Sequence, residues 1–286
     1  MESNRRNRNV DDNVNEDEDN LFPKSEFFIR GSQMVARGQS MSDTRFLDEV
    51  TALVRRGSES GCVRSMNLYS YILLCDLNRI DLALPWLLES AIRGHKNCLS
   101  KLASDCYLVV ERPRGPYLLA DYWMKLYNKW GDYDPEDMQT NKEQLKDSKK
   151  YVGKLCIVCC KKDSETITLQ RCGMCQFYYY CSKECQSKHW NEFNHMGECK
   201  QLKILKKYHK PYAKSIREAS HRGDNLREIP ALQKLRTKLG LTRPKEEYIE
   251  TPRRGGETYK ETLRRVGDIF ARKDGTVYMG STPETI

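Results

Sequence analysis

Apolar residues along this chain recur at helical steps over one long stretch and then give way to a different pattern. From Asp43 onward Phe46, Leu47, Val50, Leu53 and Val54 return every three or four residues, with Asp43 placed as a cap and Gly57 near the end. That spacing predicts an amphipathic helix. Similar stretches follow at 66–77, 83–93, 97–110 and 117–130, separated by Gly94, by the breaker Pro113-Arg114-Gly115-Pro116 and by short polar turns. Residues 41–130 therefore read as a domain of stacked helical hairpins whose apolar faces need only one another for burial.

On either side the pattern weakens. Residues 1–40 mix Asn, Asp, Glu, Arg and Ser with few core formers and read as a disordered tail, with Leu21, Phe22, Phe27, Phe28 and Ile29 as isolated apolar residues. Residues 131–150 are polar and weakly periodic, the pattern of a linker. The segment 151–202 is dense in cysteine, and 203–243 reads as a basic helical extension begun by Leu202, Ile204, Leu205 and Tyr208. Beyond Pro244 the chain reads as a second disordered tail, 244–286. The fold class expected is mainly α: helical hairpins, then a small metal-braced finger, then a basic, partly disordered C-terminal region.

Composition narrows the function. The chain has 286 residues, 38% of them hydrophobic and 31% charged, and a formal net charge of +9. Much of the positive surplus lies beyond residue 200, so an acidic partner is electrostatically favoured, nucleic acid among the candidates. No apolar run reaches the roughly 18–20 residues that span a bilayer, and the N-terminus lacks the apolar core of a secretory signal. An intracellular protein, in nucleus or cytoplasm and without a membrane partner, is the expectation. Twelve cysteines in a reducing compartment point to metal ligation rather than disulfides.

Eight of the twelve lie between Cys156 and Cys199, and seven of these together with His195 follow the order Cys156-x2-Cys159-x12-Cys172-x2-Cys175-x5-Cys181-x3-Cys185-x9-His195-x3-Cys199. Four pairs of thiolate or imidazole ligands make two tetrahedral zinc sites. A two-residue gap lets both thiolates point inward from a tight knuckle, and a three-residue gap sets both side chains on one helix face. Cys181/Cys185 and His195/Cys199 are thus helical pairs, and Ser182 is placed to cap the first helix on the Cys185 N–H. Phe177 to Tyr180 has strand propensity and should form one arm of a hairpin. Cys160 is left over as a spare thiol. His189, four residues after Cys185, is a rival to His195 as the closing ligand. Eight ligands fill two zincs and leave no open position for water or substrate, so neither catalysis nor a small-molecule substrate is expected.

These residues resemble the MYND-type zinc finger, in two C-x-x-C knuckles, the run Tyr180-Cys181-Ser182-Lys183-Glu184-Cys185-Gln186-Ser187-Lys188-His189-Trp190, and the closing His195-x3-Cys199. The resemblance implies interleaved ligands, Cys156, Cys159, Cys181 and Cys185 on one zinc and Cys172, Cys175, His195 and Cys199 on the other. It further implies a protein-interaction module that takes short proline-containing peptides of partner proteins beside Gln186 and Trp190. Four residues separate Trp190 from His195, where the family more often has two or three, so a late-starting or bulged last helix is expected. Some relatives join the finger to a SET methyltransferase domain, whose Asn-His-Ser-Cys run this chain lacks. Separately, Leu82 to His95 with Leu99, Leu102, Ala103 and Tyr107 resembles a degenerate Sel-type tetratricopeptide-like repeat, and 117–127 a second opening copy. A small helical bundle explains the same residues.

Overall fold

A computed structural model describes residues 21–37, 44–77, 79–108, 115–130, 143, 155–242 and 271–277. The expected linker 131–150, apart from Glu143, lies outside the described residues, as does Asp43.

The expected helices form in the expected order. After an additional first helix, α1 (Glu26–Ala36), they are α2 (Thr44–Glu59), α3 (Val63–Tyr71), α4 (Ile80–Ala91), α5 (Lys96–Lys101) and α6 (Tyr117–Trp130). Two of them widen into π-helical turns at their C-terminal ends, α3 at Ile72–Asp76 and α5 at Leu102–Tyr107. Successive helices pack against one another because each presents one apolar stripe, such as Phe46, Val50 and Val54 on α2. His95 and Cys98 both lie in the core, as a turn histidine and a buried thiol. Gly94 turns the chain before them with φ +91°, and a Cβ there would stand 2.6 Å from Arg217, so both the conformation and the space require glycine.

A two-stranded antiparallel sheet follows, β1 (Gln170–Arg171) and β2 (Tyr179–Tyr180), with Gln170 opposite Tyr180. Then come α7 (Lys183–Asn191), α8 (His195–Ile204) running into a third π-helical turn at Leu205–His209, α9 (Ala213–Arg222) and α10 (Pro230–Leu239). Among the described residues no helix is long and apolar enough to cross a membrane.

Three expectations change. The tail expected over 1–40 holds α1, capped by Ser25, which accepts from the Phe28 N–H at 3.1 Å. Phe22, 2% exposed, stacks on His95 at 5.4 Å and meets His221 edge-on at 4.4 Å. The reason is that these few apolar residues fill a surface already made by other helices, and so need no periodic face of their own. The tail expected over 244–286 likewise holds a docked turn, where the Val277 N–H donates to the Leu239 carbonyl at 2.7 Å. Gly197 lies under that turn, and a Cβ on it would be 2.5 Å from the Arg272 oxygen. Third, the helical hairpins do not close on one another alone. One hydrophobic cluster joins Leu84, Leu99 and Trp123 to Tyr178 and Tyr180 of the finger and to Leu205, Ile216, Leu235 and Leu239 beyond it. The His209 ring lies buried between the Tyr122 hydroxyl (2.8 Å) and the Ile92 carbonyl (3.0 Å). The basic extension therefore seals the helical core with its apolar face and turns Lys203, Lys206, Lys207, Lys210 and Lys214 to solvent.

Candidate metal centre

The two C-x-x-C knuckles are built alike. After Cys156 and Cys159 the chain closes with Cys160 N–H donating to the Cys156 carbonyl at 2.8 Å; after Cys172 and Cys175, Gln176 N–H donates to the Cys172 carbonyl at 2.9 Å. Cys160 and Gln176 take the left-handed conformation, φ 58° and 59°, that lets the chain reverse so tightly. This is the position of the spare thiol: Cys160 points to solvent and closes the turn with its backbone.

On the helical side, Ser182 caps α7 by accepting from the Cys185 N–H at 3.3 Å, as its place in the sequence predicts. The long Trp190-to-His195 interval is absorbed by a short link in which Asn194 is left-handed (φ 55°) and α8 begins at His195. The Asn194 side chain donates to the Ala271 carbonyl, which fixes the bend from outside the finger.

Folding gathers the eight residues into two sets, Cys156, Cys159, Cys181 and Cys185, and Cys172, Cys175, His195 and Cys199, with the donor atoms of each set within 4.8 Å of one another. Individual separations are 3.4 Å for Cys159–Cys181, 3.6 Å for Cys181–Cys185, and 3.4 and 3.1 Å from His195 Nε2 to Cys172 and Cys199. A tetrahedron with zinc–sulfur bonds of about 2.3 Å has edges of about 3.8 Å, slightly shorter where nitrogen replaces sulfur. The two sets fit two zinc ions.

Charge gives the same answer. Within each set one thiol ionises readily while others resist. Cys156 is lowered to about 7 by backbone N–H groups around Cys159 and Cys181 although burial opposes it. Cys185 is pushed up to about 12 by burial and by its cysteine neighbours. In the second set hydrogen bonds from Cys175 and Cys199 lower Cys172, and hydrogen bonds with Cys172 and Cys175 raise Cys199. Crowded thiolates, four in the first set and three in the second, repel one another, and a dication is what allows all to ionise.

The rival histidines separate clearly. His195 is in the second set; His189 is in neither, and its Nδ1 meets the Tyr180 hydroxyl at 2.8 Å. The two imidazoles stack at 4.6 Å with an angle of 5°, and Tyr178 packs edge-on to both. Trp190, half-buried, lies edge-on to His195 at 5.6 Å. Gln186, one turn earlier on α7, is half-buried too.

The sequence reading missed Glu198. Buried in α8 three residues after His195, its carboxylate accepts from His195 Nδ1 (2.9 Å), from the Tyr178 hydroxyl (2.8 Å) and from the Leu118 N–H (2.8 Å). The first contact orients the imidazole so that Nε2 faces the thiols, the usual partner of a metal-binding histidine. The last caps α6, eighty residues away in sequence. The only sequence signal was the His-x2-Glu spacing, which on a helix puts both side chains on one face.

Comparison with known proteins agrees with this geometry. Mouse (Mus musculus) histone-lysine N-methyltransferase Smyd1 is 38% identical over 66 residues, and the human (Homo sapiens) SMYD1 protein 36%. The match takes in 23% of this chain and only 12% of the length of either relative. No solved structure matches the chain. The family model of the MYND finger matches residues 156–199, from the first ligand of one set to the last of the other. With both tetrads formed inside those bounds, the chain carries a MYND finger.

Proposed function

We propose that this chain is an interaction protein whose finger recognises short proline-containing peptides through Gln186 and Trp190. At the coarser level the finger is a zinc-binding protein-interaction module. The observation that carries the finer reading is the placement of Trp190: it belongs to neither metal set, and although it packs against the core, α7 leaves it partly exposed four residues after a partly exposed Gln186. An indole packs well on a proline ring and an amide orients a peptide carbonyl. The metals would be held by Cys156, Cys159, Cys181 and Cys185 and by Cys172, Cys175, His195 and Cys199, supplying structural cross-links with no open coordination position. Structural zinc contributes roughly 10–16 kcal/mol of apparent binding free energy, which offsets the small core of such a segment.

The activity named for the mouse and human relatives is not carried over, because the similarity spans 12% of their length. We read the chain as a binding protein rather than an enzyme, and as intracellular. The second reading, nucleic-acid binding through the basic C-terminal third, draws on the exposed lysines of α8 and its extension. Those lysines back helices whose other face is core, the ordinary arrangement of a solvated surface, so the peptide reading is preferred.

The test is a peptide-array or two-hybrid screen run with wild type and Trp190→Ala in parallel, followed by titration of the hits. Trp190→Ala is expected to lower peptide affinity roughly thirtyfold or more, the effect of losing an aromatic anchor worth about 2 kcal/mol, while two zincs remain. Gln186→Ala should cost about 0.5–1.5 kcal/mol. Zinc release from Trp190→Ala would make the indole a core residue and end the peptide reading. A steep fall of RNA or DNA affinity with salt would favour the second.

A further inference from the structure

Away from the finger, a cavity of about 1080 Å³ opens between the N-terminal end of α3, α4 and the C-terminal helices α9 and α10. At its floor is Arg93, 1% exposed, whose Nη1 donates to the Gly61 carbonyl at 2.9 Å and whose Nη2 donates to Glu89. Arg236 pairs with the same carboxylate, Nε to Oε1 at 2.8 Å. A single buried carboxylate thus serves two guanidiniums, and Arg93 Nε has no acceptor among the described residues. Burial lowers the Arg93 pKa from its ordinary value, and Arg236 adds to the fall. Lys24 and Arg227 stand at the rim with Glu59 and Asp224, which pair with Arg55 and Arg222, and Met66, Tyr69, Leu82 and Trp86 form an apolar wall, with the Tyr69 and Trp86 rings edge to face at 5.7 Å.

Uncompensated buried positive charge is costly, and a guanidinium fork matches the oxygens of carboxylate or phosphate. The volume slightly exceeds the roughly 300–1,000 Å³ of organic-ligand pockets and is far more than an inorganic ion fills. We propose that this cavity binds an organic anion, a carboxylate or phosphate monoester on an apolar body, with its head on Arg93 and Arg236 and its body against Trp86. The role is binding without chemistry. Cys62 lines the same cavity and reports on it. Although burial raises its pKa, hydrogen bonds with Ser25 and Ser65 hold the thiol below its ordinary range, which favours the thiolate that alkylating reagents attack.

The experiment titrates the full zinc-loaded chain calorimetrically with indole-3-acetate and phenyl phosphate, each against its neutral partner, indole-3-acetamide or phenol. Cys62 alkylation is followed in parallel by peptide mapping. We expect one of the two anions to bind at least about tenfold more tightly than its neutral partner and to slow Cys62 alkylation; which one binds separates carboxylate from phosphate. Glu89→Gln, which frees both guanidiniums, should tighten binding about tenfold or more, and Arg236→Gln should weaken it about tenfold or more, the worth of a charged hydrogen bond. If Glu89→Gln fails to fold, Arg236→Gln, at a partly exposed position, decides alone. No binding of either anion, equal binding of anion and neutral partner, or indifference to Arg236→Gln would make the arginine pair a structural feature only and overturn the proposal.

Discussion

Replacing Glu198 by glutamine removes a charge and nothing else of consequence in volume. In the native site the carboxylate accepts three hydrogen bonds at 2.8–2.9 Å, from His195, Tyr178 and Leu118. With His195 Nε2 committed to metal, Nδ1 carries a proton and must donate. A glutamine oxygen can serve Tyr178 and Leu118, but the amide NH2 then points at the Nδ1 proton; turned the other way, it meets the Leu118 N–H instead. Either pose sets two donors against each other and loses one charge-assisted hydrogen bond, about 1.5–3 kcal/mol. Loss of such an outer partner typically lowers metal affinity by about 10–100-fold. The assay is competition with a chromophoric chelator. Glu198→Gln should release one zinc at correspondingly lower chelator concentration while the Cys156 set keeps its wild-type affinity. Glu198→Ala should add a lower melting temperature, because α6 loses its cap as well. Release of both zincs at wild-type chelator concentration, or an equal shift of both, would refute the positioning role.

Cys172→Ser should cost the finger its fold and metal, whereas Cys160→Ser should keep two zincs by elemental analysis and Cys160→Gly should be neutral or slightly stabilising at its left-handed position. A chain ending near Lys150 should show no cooperative helical melt by circular dichroism, because Leu205, His209, Ile216 and Leu235 complete the core; a melt like that of the full chain would show that the hairpins fold alone. Burial holds His209 at about 4, below the ordinary 6.5, although the hydrogen bond to the Ile92 carbonyl opposes the fall. The fold favours the neutral ring, so this contribution is fully present above pH 6.5 and lost as pH falls toward 4, about 3 kcal/mol at most. Denaturant melts of wild type and His209→Gln across that window should differ in slope, with the variant flatter.

The metal sets were legible in the sequence because ligand chemistry admits few residue types and the knuckle and helix geometries fix their spacing. Helices α2 to α6 were legible because each carries its own apolar period. What could not be read was cooperation between distant segments. Phe22, Asn194 and the turn at Ala271 to Val277 have no periodic face; each acquires its place only from a surface built elsewhere. Glu198 looked like one more charge on a basic helix, since its partners Tyr178 and Leu118 are brought to it by the fold. Leu202 and Leu205 were visible as the start of a helix, but the basic composition beyond residue 200 hid that they, with Ile216, Leu232 and Leu235, belong to the main core.

The burial of His209 against Ile92 bears on synthesis at the ribosome. The two residues are 117 apart in the chain. At about 5–20 residues per second, α4 waits roughly 6–24 s after emerging before the ring that covers its end exists. Until it ends Leu84, Leu99 and Trp123, as each is made, lack the later part of the cluster that encloses them, and the segment translated in between contains both zinc sets. A cell short of zinc would therefore hold this nascent chain longer in its sticky, half-covered form. Aggregation or chaperone capture during translation, rather than loss of a finished protein, would be the first symptom.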